Sequence, residues 1–169
     1  MVLGMSLATY TLIHVLISLV GIASGLVVLY GMLSSQPLPR WTALFLITTV
    51  ATSVTGFGFP FEKLLPSHIV GTISLVVLAL AILGRYGLHL AGAGRWIYVV
   101  GSVMALYFNV FVAVVQAFQK VPALKAAAPT QKESPFLVAQ IFVLVVFVVL
   151  GALAVKRFHV ASPGAVQGA

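Results

Sequence analysis

The residues in this chain that could do chemistry are few, and they are set singly into apolar runs. His14 lies well inside the first run and His68 at the mouth of a later one. The stretch TTVATSVTGFGFPFEKLLPSHIVGT, residues 48–72, carries Thr48, Thr52, Thr55 and Thr72 as well as Glu62 beside Lys63. Further along, Asn109 and Gln116 stand seven apart, which puts them on one helical face, and Gln140 is the strong polar exception in the last apolar run. A neutral imidazole both donates and accepts hydrogen bonds and titrates near neutrality, whereas carboxamides and hydroxyls offer neutral donors and acceptors. Together these side chains could hold a small polar solute, a proton, or the headgroup of a lipid or quinone. They are not a hydrolytic set. No G-x-S-x-G, H-E-x-x-H or paired carboxylate occurs, so no catalytic residue and no metal-ligand set is assigned.

The elements that must position these groups are membrane helices. Of the 169 residues, 62% are hydrophobic and 7% charged. A soluble domain carries about 25% charged residues, so the composition is that of an integral membrane protein. Nine Lys and Arg stand against two acidic residues, and the basic residues flank apolar runs. That distribution marks topology signals and headgroup contacts and gives no nucleic-acid footprint. The absence of cysteine excludes disulfides and thiolate chemistry.

Taken in order, the chain predicts an all-α bundle of five transmembrane helices over residues 6–33, 41–61, 67–85, 96–118 and 136–155, a single domain of residues 1–158, and a disordered tail over 159–169. The first run has no basic n-region and exceeds an h-region of roughly 7 to 15 residues, so it reads as a retained helix. His14, Ser18, Gly21 and Gly25 share one of its faces, and the GxxxG of Gly21 and Gly25 suits either packing within the chain or a homo-oligomer. The second run is interrupted by hydroxyls, and Gly56, Gly58 and Pro60 should end or bend it. Ser67 is the expected N-cap of the third. Lys120–Pro135 reads as a short surface helix or an ordered loop.

The expected site follows from depth along each helix. At ~1.5 Å per residue His14 lies roughly 12 Å inside the N-terminal side. Thr52, Thr55, His68, Thr72, Asn109, Gln116 and Gln140 come from the ends of their helices that open on that same side, with Glu62 and Lys63 at the entrance. The opposite half reads as Leu, Val, Ile, Gly and Ala. Arg40, Arg85, Arg95, Lys156 and Arg157 lie on the far side, which makes that side cytoplasmic and the N terminus periplasmic under the positive-inside rule.

Three functions follow as expectations: a non-enzymatic binding or transport protein centred on His14, a redox protein holding b-type haem or quinone through His14 and His68, and a structural subunit of a larger membrane complex. No cofactor is demanded by the sequence. Haem is the redox alternative, and it requires two imidazoles whose heights differ by roughly 9 Å on the helical rise to reach one iron. The expected partners are the lipid bilayer and a membrane protein or second copy on the Gly21/Gly25 face, with no nucleic acid.

The runs TSVTGFGFPF, SHIVGTISLVVLALAILGRY and ALYFNVFVAVVQAFQKVPALKAAAPTQKESPF resemble a family of small bacterial polytopic membrane proteins. The resemblance extends over most of the chain from His14 onward. It implies a bacterial inner-membrane protein and adds no catalytic residue. In size the chain also resembles small four-helix membrane cytochromes.

Overall fold

The computed structural model describes residues 2, 4–59 and 66–159, with side chains in the last stretch described from residue 68 onward. Six α-helices form: α1 (Leu7–Leu33), α2 (Pro39–Gly56), α3 (Pro66–Ile82), α4 (Ala93–Lys120), α5 (Pro122–Ala127) and α6 (Ser134–Arg157). A π-helical turn, Leu83–Gly87, continues α3. No strand occurs among the described residues beyond an isolated bridge between Val2 and Met5.

Local chemistry sets the ends. Ser6 caps α1, its Oγ accepting from Thr9 N at 3.1 Å. Proline stands in the first turn of α2, α5 and α6, where its missing N–H costs no intrahelical bond. The Gly56 expectation is met, since α2 stops there rather than running to residue 61. The Lys120–Pro135 connection does contain a short helix, α5. Ser67 as a cap, and the entrance pair Glu62 and Lys63, lie outside the described residues, as does the tail from residue 160. The first residue of the expected tail, His159, is tied down: its N–H donates to Ser35 Oγ at 2.9 Å, and Ser35 Oγ donates back to His159 O at 2.7 Å.

Among the described residues four helical stretches are long and apolar enough to cross a bilayer: Leu7–Leu33, His68–Gly87, Ala93–Lys120 and Ser134–Arg157. The chain is therefore an all-helical membrane protein. Helix α2 does not meet that measure, because its 18 residues include Pro39, Arg40 and a run of hydroxyls. Its buried face, Thr42, Phe45, Leu46, Thr49 and Ser53, packs between α1 and α3. Helix α4 is the hub, touching α1, α2, α3 and α6.

The hydrophobic core is gathered toward one end, around Met32, Phe45, Leu78, Tyr98, Leu106 and Phe158. Small residues allow that closeness, as expected where lipid supplies no hydrophobic drive between helices. A Cβ at Gly25 would lie 2.6 Å from Leu106 Cδ1 and 2.8 Å from Phe45 Cε2. One at Gly84 would lie 2.7 Å from Gly94 O and 2.8 Å from Tyr98 N. The Gly21/Gly25 face is therefore buried against α2 and α4 of the same chain, the packing within the chain that its GxxxG also suits.

Candidate functional site

Tyr10 and His14, one turn apart on α1, face the last turn of α2. Tyr10 Oη donates to Thr55 O at 2.7 Å, and His14 Nδ1 meets Thr55 Oγ1 at 2.8 Å. Thr55 Oγ1 also lies 2.7 Å from Ala51 O, one turn back on its own helix. A hydroxyl has one proton, and the Ala51 carbonyl can only accept. We assign the Thr55 proton to Ala51 O, so Thr55 Oγ1 accepts from His14 Nδ1–H. Neutral His14 then presents Nε2 as an acceptor. Phe59 stands edge-on to both rings, 5.0 Å from Tyr10 and 5.1 Å from His14. Gly58 is required at this turn, because a Cβ there would run into the Tyr10 hydroxyl.

Deeper along the same seam Asn109 Nδ2 donates to Thr49 Oγ1 at 3.2 Å. Gly21 brings α1 up to this pair, with a Cβ there lying 3.3 Å from Thr49 Oγ1 and 3.4 Å from Asn109 Nδ2. Thr52, one turn from both Thr48 and Thr55 on α2, has a buried Oγ1 with no partner among the described residues. A buried hydroxyl without a partner costs about 1–3 kcal/mol, so this group is an opening for a donor or acceptor from outside the chain.

The remaining predicted residues are placed elsewhere. Gln140 donates from Nε2 to Phe111 O at 3.3 Å, across the α4–α6 contact, and leaves its Oε1 buried and unpartnered. Gln116 is exposed. Thr72 Oγ1 returns to His68 O on its own helix at 2.9 Å. His68 is 5% exposed and stacks on Phe57 at 5.6 Å between centroids. Ser18 Oγ likewise bonds its own helix, at His14 O. The single pocket expected from all these residues is thus corrected to a principal seam, α1–α2–α4, with separate polar contacts between α4 and α6 and between α2 and α3, where Ser53 donates to Ser74 at 3.2 Å. The physical reason is angular. Asn109 and Phe111 are two residues apart on α4 and so point to nearly opposite sides of it.

The expectation of an apolar opposite half is also corrected. Thr42 Oγ1 and Tyr98 Oη meet there at 3.0 Å, both residues almost fully buried. Ser102 Oγ is buried without a partner among the described residues, beside a gap lined by Gly25, Phe45 and Leu106 that admits no water-sized sphere. Tyr10 and Thr49 were missed as site residues. Tyr10 precedes His14 by four and could have been found by that spacing, whereas nothing in the sequence ranks Thr49 above Thr48.

The two imidazoles do not fit a shared haem. Phe57 stacks on His68 and Phe59 stands edge-on to His14, so an aromatic ring lies against each imidazole where a haem would have to pack. Nor do any three His, Asp or Glu converge among the described residues. Comparison with known families, with characterised proteins and with solved structures gives no match.

Cover over the seam is uneven along α4. From Tyr98 to Leu106 every residue except Val100 and Met104 is buried; from Tyr107 to Val115 every residue is half-buried. The polar seam therefore lies in the looser half of the bundle.

Proposed function

We propose that this chain is a multi-pass protein of the bacterial inner membrane that binds or passes a small polar ligand in its looser half, with His14 at the centre. It crosses five times. Helix α2, about 27 Å long at ~1.5 Å per residue, is the additional crossing, its hydroxyls turned into the bundle. The basic residues that abut the helix ends beside Arg85 and Arg95 make that side cytoplasmic and the N terminus periplasmic.

The observation that carries this reading is the His14–Thr55 contact at 2.8 Å in a part of the bundle where α4 is only half covered. An intramembrane ionisable residue held by a specific partner is a functional position by default. With Nδ1–H committed to Thr55, the ligand must donate to Nε2. That favours an uncharged molecule with an O–H or N–H donor, such as a hydroxylated headgroup of the quinol type. No charged side chain of the described residues meets this seam, which suits a neutral ligand better than an ion.

The chain has no cysteine, so single cysteines report access without background. His14→Cys and Asn109→Cys should react with a charged, membrane-impermeant maleimide added from the N-terminal side, and Ser24→Cys and Ser102→Cys should not. Silence at positions 14 and 109 from both sides would remove the site.

A second reading, a subunit of a larger complex, is favoured by α6, whose Val138, Ile141, Phe142, Val145 and Val148 are all more than half exposed. A stoichiometric partner retained through purification, and lost when Phe142 and Val145 become Ala, would distinguish it.

A further inference from the structure

Two arginines at the far end of the bundle are treated very differently by their surroundings. Arg95 is engaged: its Nη1 donates to Val155 O at 3.0 Å and to Phe158 O at 2.7 Å, closing the carbonyl end of α6. Arg85 sits on the π-helical turn that ends α3, and its Nε and Nη1 are buried with no hydrogen-bond partner among the described residues. Its charge lies against two aromatic residues, with Cζ 5.1 Å from the Tyr98 centroid and 5.6 Å from that of Tyr86.

The chain carries no acidic side chain on this side among the described residues. Its two acidic residues are Glu62, in the sequence between α2 and α3, and Glu133, which precedes α6 at the other end of the bundle. No described carboxylate lies near Arg85, whereas Arg40, Arg95, Lys156 and Arg157 add further positive charge to the same end. A guanidinium with two buried, unpaired nitrogens and no counter-charge is costly to keep, and a part-exposed one in this position draws an anion from outside.

We propose that Arg85 is a binding site for the phosphate of an anionic membrane lipid. The guanidinium fork takes two phosphate oxygens, as its planar geometry favours, while its face stays stacked on Tyr98. Tyr86, 49% exposed, is the side chain that moves aside to admit the headgroup. The surroundings suit a lipid rather than free phosphate. Leu83, Leu88 and Trp96 flank the site as exposed apolar groups, at the height where acyl chains and interfacial aromatics meet. The backbone here is built to hold the turn, with His89 at φ 49° and Leu90 at φ 59° returning the chain so that Leu90 N donates to Gly84 O at 3.1 Å.

The test uses the full chain in mixed micelles. Native mass spectrometry would measure retained phosphatidylglycerol against phosphatidylcholine, and thermal shift would follow inorganic phosphate separately. The wild type should retain phosphatidylglycerol preferentially and respond little to inorganic phosphate. Arg85→Gln should weaken that retention by about tenfold, the scale of one lost charge-assisted forked contact. Arg85→Lys, which keeps the charge and protects against a folding failure of the first variant, should lose several-fold because an ammonium lacks the fork. Lys156→Gln, on an exposed basic residue of the same end, should change little. Equal losses in Arg85→Gln and Lys156→Gln would mean unspecific surface attraction and overturn the site. Equal retention of both lipids, full retention by Arg85→Lys, or saturation by inorganic phosphate alone would also overturn it.

Discussion

The two halves of α4 differ in how they are held. Between Tyr98 and Leu106 the helix is enclosed, and neighbouring backbones come close because Gly84, Gly94 and Gly101 have no side chains to separate them. Between Tyr107 and Val115 it is half covered, and beyond the packing of Tyr107 on Phe147 it is tied to neighbours by single polar contacts: Asn109 to Thr49, Gln140 to Phe111 O and Gln131 to Val115 O. Within lipid, close packing needs small residues on both surfaces, whereas a hydrogen bond can join helices that do not otherwise fit tightly. The first half is thus a clamp and the second a set of cross-links with slack, and only the second has room to exchange partners.

The most severe way to break this comparison is to add one carbon atom to each half. Gly84→Ala forces a Cβ to within 2.7 Å of Gly94 O and 2.8 Å of Tyr98 N, backbone atoms that cannot turn aside. We expect a loss of about 3 kcal/mol, the upper part of the range for overpacking, read as a large drop in unfolding temperature in detergent. In Gly56→Ala the new Cβ meets only His14 Cε1, at 3.8 Å. A change below about 0.5 kcal/mol is expected there, as for substitutions that disturb no packing. Comparable losses from both would show that the halves are equally tight.

A milder pair removes one hydroxyl from each. Tyr98→Phe leaves Thr42 Oγ1 buried without the partner it has at 3.0 Å, which should cost about 1–2 kcal/mol. Tyr10→Phe removes a donor from Thr55 O but leaves that carbonyl near the open turn of α2, so about 0.6 kcal/mol is expected, the average for interhelical bonds in lipid. The second variant should nevertheless raise maleimide reactivity at position 14, because Tyr10 and His14 grip the same threonine. If Tyr10→Phe proves the more destabilising, the polar seam rather than the clamp is what holds the helices together.

These contrasts also explain how far the sequence could be read. Hydropathy reveals a long apolar helix wherever lipid-facing residues dominate, which located α1, α3, α4 and α6. It ranks α2 lower, although Thr42, Thr49 and Ser53 are buried against other helices, because a hydroxyl turned inward counts the same as one turned outward. That His14 must meet a polar partner was legible because an isolated imidazole in an apolar run has to find one. Which partner it finds depends on the register of α1 against α2, set by Gly21, Gly25 and Gly58 through contacts distant in sequence. The separation of Gln140 from Asn109 has the same origin: helical depth follows from position along the chain, but angle around the bundle follows from tertiary packing. Arg85 and Arg95 are indistinguishable as flanking charges in sequence. They differ only because the end of α6 comes to rest against one of them.

The smallest expected effect concerns the loop that rests on the looser half. Glu133 accepts from Thr130 Oγ1 at 2.8 Å, from Thr130 N at 3.2 Å and from Lys132 N at 3.0 Å. A slight loss of hydration pushes its carboxyl up, but these hydrogen bonds outweigh it and hold the group below its ordinary range. Because the folded value is the depressed one, the contribution is complete above the unfolded pKa and is lost as pH falls through the folded pKa. Hydrogen exchange at the Thr130 and Lys132 amides should therefore quicken, relative to intrinsic rates, when the protein is moved from neutral pH to below the carboxylate range. Glu133→Gln should show the quicker exchange at neutral pH and no further change on acidification. Since Gln131, at φ 59° in the same loop, donates to Val115 O at 2.9 Å, the loosening should reach the half-covered part of α4 and stop short of Tyr98 to Leu106. Exchange that rises equally along the whole of α4 would mean that the two halves open as one unit.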